Sequence, residues 1–283
     1  MTSTYNMVKI LKKKRSIDGS VKYLYYFEDG SLAEAIRFKM GQQESICIST
    51  QIGCPIGCRF CAVSNYQFVR NLQSDEIIGE VELVLNDTPH LNRFDEVAFQ
   101  GTGEPLYNLV HVARAAEVLC EKGLATYCSV ATSGNHVNFS KLKKTMLQKV
   151  YLSLHATEDK TRARLIPKVP QASIDHLLKI ARKHVQQTGI KVTINYILLK
   201  NINDTEGDLT RLIDMLKPDF FTVQLSVLSP VKTSNKIKLV PSRRFHYFKS
   251  KLEGCGFTVT ILNFRGTDID GGCGQMVSRH RCA

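Results

Sequence analysis

The segment Cys54-Pro-Ile-Gly-Cys58-Arg-Phe-Cys61 places three thiols in the spacing Cys-x3-Cys-x2-Cys. Three thiolates on one tight loop can hold a single soft metal centre. Structural zinc usually takes four ligands, often as two paired Cys-x2-Cys arms. No second pair follows here. The spacing fits a 4Fe–4S cluster better, with one iron left open to a further ligand. Zinc, or three unrelated loop cysteines, are the competing readings. The other cysteines are Cys47, Cys120, Cys128, Cys255, Cys273 and Cys282, making nine in all. An odd number, with no apolar secretory leader in residues 1–7, argues against a disulfide framework. Cys120, Cys128 and Cys255 read as core residues of helices or strands. Cys282 receives no role.

Such a loop must be carried by rigid elements. From Ser45 onward, strand-like and helix-like stretches alternate. Strands are expected at residues 45–49, 95–100, 125–131, 150–155, 190–199, 220–228 and 257–263. Helices are expected between them at 75–85, 109–122, 139–148, 174–187, 205–217 and 242–255. The helical stretches repeat apolar residues at three- and four-residue steps, as Ile77, Val81, Val84 and Leu85 do. Ser74, Asn138, Ser173 and the pair Asn203-Asp204 stand where caps belong. This alternation implies parallel strands joined by right-handed crossovers. It fits an incomplete (β/α) barrel or an open doubly wound sheet, and in both the site lies at the C-terminal ends of the strands. The cysteine loop follows the first of these strands. Ahead of it, runs at 8–13, 21–28 and 32–38 are separated by Asp18-Gly19 and Asp29-Gly30, which reads as an antiparallel meander. The expected division is a meander over residues 1–44, an α/β unit over 45–265 and a tail over 266–283.

Lysine and arginine number 38 against 26 acidic residues, a net charge of +12. That balance suggests a polyanionic partner, most simply nucleic acid. Lys12, Lys13, Lys14 and Arg15, near the first meander turn, are either a solvated turn or a phosphate contact. A content of 43% hydrophobic and 23% charged residues excludes a wholly disordered chain. No apolar run reaches the roughly 18 residues of a membrane helix. A cytoplasmic protein with no membrane partner is the expectation.

The cysteine spacing after the first strand, with Phe60 before the last cysteine, resembles the radical S-adenosylmethionine superfamily. The resemblance implies a 4Fe–4S cluster on Cys54, Cys58 and Cys61. The open iron would bind S-adenosyl-L-methionine, whose reductive cleavage yields a 5′-deoxyadenosyl radical. Further segments narrow the resemblance. They are Cys47-Ile-Ser-Thr-Gln-Ile-Gly-Cys54, Phe68-Val-Arg-Asn-Leu72, Gly101-Thr-Gly-Glu-Pro-Leu-Tyr-Asn108, Ser153-Leu-His155 and Arg265-Gly-Thr-Asp-Ile-Asp-Gly-Gly-Cys-Gly-Gln275. Together these resemble the RlmN/Cfr family of dual-specificity radical methyltransferases, which methylate carbon 2 or carbon 8 of adenine in RNA. The implied fold class is α/β: a partial (β/α)6 barrel with a small N-terminal antiparallel meander and a C-terminal cysteine-bearing tail. The family carries a helical domain ahead of the meander, and this chain begins at the meander.

Residue roles follow from the same resemblance. Gly103 and Glu104 would meet the methionine amino group, since glycine lets the backbone approach and a carboxylate pairs with an ammonium. Ser133, Ser153, Leu154, His155 and Ser229 would join them in the cofactor pocket. Ser133 lies near Ala131, where the family has serine. Ser229 stands where it has asparagine, and Thr102 where it has methionine. Adenine carbons 2 and 8 are electrophilic, so direct displacement by S-adenosylmethionine fails. The family methylates a cysteine first, here Cys273, and the radical then takes a hydrogen from that S-methyl group. The methylene radical adds to the ring. Cys47 takes a proton from the adduct and attacks the Cys273 sulfur, leaving a disulfide that must be reduced. Glu34 aligns with a family glutamate suggested as a base. The implied partners are RNA, ribosomal or transfer, and an electron donor for the cluster; a monomer is expected. Two other functions share these features: a radical enzyme of this scaffold acting on another substrate, and a non-catalytic cluster- or zinc-binding RNA-interaction protein.

Overall fold

Two Asp-Gly turns open the chain, with Gly19 and Gly30 at φ +83° and +80°. Glycine enters that left-handed region without steric cost. In the computed structural model, which describes residues 7–134, 139–167, 172–229, 239–263 and 265–281, these turns join β1 (Val8–Arg15), β2 (Val21–Phe27) and β3 (Leu32–Met40) as an antiparallel meander. β3 pairs antiparallel with β4 (Gln43–Cys47). Beyond β4 every added strand is parallel to the one before. These are β5 (Phe94–Phe99), β6 (Ala125–Thr132), β7 (Leu147–Ser153), β8 (Val192–Ile197), β9 (Phe221–Ser226) and β10 (Val259–Leu262). Every strand expected from the alternation is present. All ten form one sheet in chain order, whose outer strands do not pair among the described residues. The sheet is thus a partial barrel. It also runs unbroken through the expected boundary at residues 44–45.

Helices α1 (Ser74–Asn86), α2 (Leu109–Glu121), α3 (Asp159–Leu165), α4 (Ile174–Thr188), α5 (Glu206–Met215), α6 (Phe245–Gly254) and α7 (Gln275–Arg281) complete the chain. The stripe Ile77, Val81 and Val84 of α1 is fully buried in one core with Val97 and Phe99 of β5. Each such side chain contributes about 1.5–3 kcal/mol by burial. No helix among the described residues is long and apolar enough to cross a membrane.

Three local expectations change. Residues 139–148 are not one helix. A short turn at Leu142–Lys144 leads directly into β7. Thr145 explains the break, because its hydroxyl donates to Leu142 O at 2.7 Å and accepts from the Leu147 amide at 3.3 Å. A side chain that bonds its own backbone competes with the helix ladder. Asn138, the expected cap, lies outside the described residues. Gln73 rather than Ser74 caps α1, with Glu76 accepting from the Gln73 amide at 2.7 Å in a capping box. Thr205 caps α5 in place of Asn203-Asp204. Ser173 does cap α4, accepting from the His176 amide at 3.2 Å. Helices α3 and α7 are too short to show periodicity and were not expected.

Candidate active site

The cysteine loop leaves a pinched base, where Gln51–Ile52 and Arg70–Asn71 pair antiparallel. Gly53 sits at φ +76°, and a Cβ there would lie 2.1 Å from the Gln67 carbonyl oxygen. Only glycine allows that approach. Cys54, Cys58 and Cys61 are half-buried on the loop, and the Cys61 amide donates to Cys58 O at 3.1 Å. Burial pushes the Cys54 thiol up to about 12. Burial, then the charges of Cys61 and Cys54, push Cys58 up further. Cys61 is raised by burial and by Cys273. Among the described residues no three His, Cys, Asp or Glu side chains are already arranged to hold a metal ion. The structure supplies the donor set: three soft thiols on one loop, with Cys54 and Cys61 opposing the ionisation of Cys58. A cationic centre reverses that opposition, so these residues fit a thiolate-bound cluster.

Glu104 lies where β5 and β6 end. Gly103 before it has φ +117°, and a Cβ there would stand 2.6 Å from Thr50 Oγ1. The Glu104 amide donates to Gln51 Oε1 at 2.8 Å. Its buried carboxylate accepts from Thr132 Oγ1 at 2.5 Å, Ser133 Oγ at 2.5 Å and the Ser133 amide at 2.8 Å. Burial raises its pKa, and those hydrogen bonds oppose the rise. Arg162 is buried beside it, and its Nη2 donates to Ser133 O at 2.5 Å and Ser153 O at 3.2 Å. It thereby ties the end of β6 to the end of β7.

His155 follows β7 at φ +58°. Its Nδ1 accepts from the Ile197 amide at 3.0 Å, which puts the neutral ring's proton on Nε2. Phe60 of the cysteine loop meets the ring edge-on, centroids 4.7 Å apart. Asn203, the residue freed from capping, donates to His155 O and Ile197 O, each at 2.7 Å. Gly103, Glu104, Ser133, Ser153 and His155 thus gather at the strand ends beside the cysteine loop. Leu154, between Ser153 and His155, buries its side chain fully in the main core. Ser229 faces the tail: its Oγ accepts from Gln275 Nε2 at 3.4 Å. Gln51, Thr132, Arg162 and Asn203 carry no sequence signal as site residues, except that Gln51 falls inside the quoted cysteine segment.

Burial, then the charge of Arg162, push His155 down to about 3. An unfolded imidazole ionises near 6.5. Between those values the folded state binds fewer protons than the unfolded one, so stability falls as pH drops from about 6.5 toward 3 and is full above 6.5. Urea midpoints at pH 7.5 and pH 5 should therefore differ more for the unsubstituted protein than for His155→Asn. Equal differences would show that the ring is not kept neutral by the fold.

Cys47 ends β4, and the tail returns Cys273 to it. Cys273 Sγ lies 3.6 Å from Gln100 O, and the two thiols are near enough to shift each other's ionisation. The neighbouring Cys273, then burial, push the Cys47 thiol above its ordinary value. The neighbouring Cys47 and the charge of Lys22 favour the Cys273 thiolate.

The meander is the dock for this tail. Asp18 accepts from the Gly266 amide at 2.8 Å. Asp268 accepts from the Ile17 amide at 3.1 Å and from Ser16 Oγ. Lys22 Nζ donates to Glu34 Oε1 at 2.8 Å, Gly272 O at 3.2 Å and Gly271 O at 3.3 Å. Glu34 in turn accepts from the amides of Gly274, Met276 and Val277. Leu24, Leu32, Met276 and Val277 form a small apolar cluster beneath. Of the cations near the first turn, Lys13 is paired with Asp87 at 2.6 Å and Lys14 with Asp270 at 3.2 Å. Both are committed to the fold. Cys128 is buried, with its sulfur 3.9 Å from that of half-buried Cys120. Cys255 is exposed at the end of α6, not in the core. Cys282 lies outside the described residues.

Residues 48–213 match the Radical SAM superfamily. A protein named "Probable dual-specificity RNA methyltransferase RlmN" from Symbiobacterium thermophilum is 32% identical over 282 residues, 96% of this chain and 76% of that one. The dual-specificity RNA methyltransferase RlmN of Sulfurimonas denitrificans is 31% identical, over 96% of this chain and 81% of its own. The crystal structure of a radical SAM methyltransferase from Sphaerobacter thermophilus shares the fold with a TM-score of 0.87 at 28% identity, covering 95% of this chain and 80% of that chain.

Proposed function

We propose, from the premise that this chain belongs to the radical S-adenosylmethionine superfamily and within it to the RlmN type of methyltransferase, that it methylates a ring carbon of adenine in RNA through a methylated cysteine. The observation that carries this reading is the return of Cys273 on the tail to the neighbourhood of Cys47, beside a three-cysteine loop. A binding protein needs no such pair. Cys54, Cys58 and Cys61 would hold a 4Fe–4S cluster, which with S-adenosylmethionine supplies a deoxyadenosyl radical when bound. Gly103, Glu104, Ser133, Ser153 and His155 would shape the cofactor pocket, the Glu104 carboxylate facing the methionine ammonium. His155, held neutral, can donate a hydrogen bond from Nε2 without adding charge.

Cys273 would first take a methyl group on sulfur, as its lowered pKa favours. Its sulfur then holds the derived one-carbon unit against carbon 2 or carbon 8 of the base. Once the adduct has given up its unpaired electron to an external acceptor, Cys47, as its thiolate, would take the ring proton, lose it to solvent and bond the Cys273 sulfur. The bond from that sulfur to the methylene carbon breaks as the disulfide forms, its electron pair taking up a proton to complete the methyl group, and an external dithiol returns both cysteines. Both oxygens of Glu34 are engaged by Lys22 and tail amides. We therefore assign Glu34 to positioning Cys273 rather than to removing a proton. RNA, ribosomal or transfer, is the substrate, and an external electron donor serves the cluster.

The test is mass spectrometry of ribosomal and transfer RNA from cells with and without this protein, together with that of the purified chain. The expected result is a methyladenosine that depends on the protein and a methyl group on Cys273. Unchanged RNA and an unmodified Cys273 would move the reading to another substrate on the same scaffold.

A further inference from the structure

A groove of about 890 Å³ lies between the start of α2 and the second half of α4. One wall is Leu106, Tyr107 and Asn108, which follow directly on Glu104-Pro105. Asn108 Nδ2 donates to Thr50 O and Leu72 O, each at 2.8 Å, and so fixes this wall to the segments flanking the cysteine loop. The other wall carries Lys141, Lys143, Lys144 and Lys183, all exposed. Among the described residues no acidic side chain lines the groove. Among the described residues none of these four ammonium groups is in an ion pair, unlike Lys13 and Lys14. His184, 3% exposed in the same wall, has no hydrogen-bond partner on either ring nitrogen. A buried polar ring without a partner costs free energy and is a ready partner for a ligand seated there.

We infer that this groove is the phosphate-binding track that carries the RNA backbone away from the catalytic mouth. The inference rests on the proposed RNA reading and extends it to a surface. Four unneutralised cations converging on one concave strip raise the local potential, and a polyanion gains most from it by releasing counterions. The break of the expected helix by Thr145 is what lays Lys141, Lys143 and Lys144 along the groove as a turn.

The experiment compares the unsubstituted protein with the triple variant Lys143→Glu, Lys144→Glu, Lys183→Glu and with the same three changed to Gln. The probes are a labelled transcript of a large-subunit ribosomal RNA domain and poly(U). Affinity is read between 50 and 300 mM salt. Both variants should lose about tenfold or more in affinity at low salt, and the slope of log affinity against log salt should flatten by about 2. Deoxyadenosine formation with a chemical reductant and no RNA should stay unchanged, because none of the three touches the site. Unchanged affinity and slope in the Gln variant, with RNA methylation intact, would overturn the groove assignment and leave the function standing. So would a loss confined to reduction by an acidic protein donor, which would make the groove that donor's surface. If the unsubstituted protein neither binds nor methylates any RNA, the functional reading itself fails.

Discussion

Cys273→Ala should make no methylated RNA, while Cys47→Ala should trap RNA covalently on the protein. The two results differ because the two sulfurs do different jobs. Cys273 is the carrier, so its loss leaves nothing to bring the one-carbon unit to the base. The visible absorbance of the cluster should survive in Cys273→Ala, since its ligands lie elsewhere on the chain. Cys47 acts only after the carrier is joined to the ring. Without it the bond from Cys273 to RNA persists, and a nuclease-sensitive shift should appear on a denaturing gel. The double variant should show no shift. The geometry is already close to what the resolving step needs. The two thiols are near enough to shift each other's ionisation, and a disulfide requires about 2.05 Å between sulfurs with Cα atoms within about 7 Å. Full activity in Cys273→Ala would remove the cysteine-carrier mechanism and leave the cluster assignment untouched. A Cys47→Ala protein that turns over without an adduct would remove only the resolving role.

The strand map was legible because buried parallel strands are short apolar runs set between periodic helices, and all of those expected after Ser45 are present. Helix ends were less legible. Gln73 caps α1 although Ser74 is the better cap by residue type, because the Glu76 side chain closes a box onto the Gln73 backbone. Residues 139–148 have helical spacing, but Thr145 bonds its own backbone and the chain turns into β7. Local propensity cannot report which of two such bonds wins. At the site, Cys54, Cys58, Cys61 and Glu104 stood out by spacing. Arg162 and Asn203 did not, since each acts by holding backbone carbonyls from distant strands. Lys22 was invisible for the same reason. It lies in a strand whose neighbours are aromatic, and its partners are 12 and about 250 residues away in sequence.

That lysine sets the last expectation, which concerns how the tail is held. Lys22 and Glu34 form an ion pair with side chains only 2% and 1% exposed. Between them they engage the carbonyls of Gly271 and Gly272 and the amides of Gly274, Met276 and Val277. Those groups bracket Cys273. Removing either partner leaves the other charge buried and unpaired, at a cost of about 3–5 kcal/mol. Lys22→Met and Glu34→Gln should each free the tail. Methylation of Cys273, and of RNA, should fall about 100-fold or more, as misplacing a reacting group by about 1 Å can do. The pH midpoint for alkylation of Cys273 should rise in both, because the released thiol leaves the neighbourhood of Cys47 and the charge of Lys22. Cluster absorbance and deoxyadenosine formation should persist. The double variant Lys22→Met, Glu34→Leu separates positioning from stability. Replacing a buried ion pair by apolar residues of similar volume is often neutral or stabilising, so its urea midpoint should recover. Its methylation should not, because methionine and leucine offer nothing to the tail's carbonyls and amides. Recovery of both together would show that the pair serves only the stability of the meander and that the tail finds Cys47 without it.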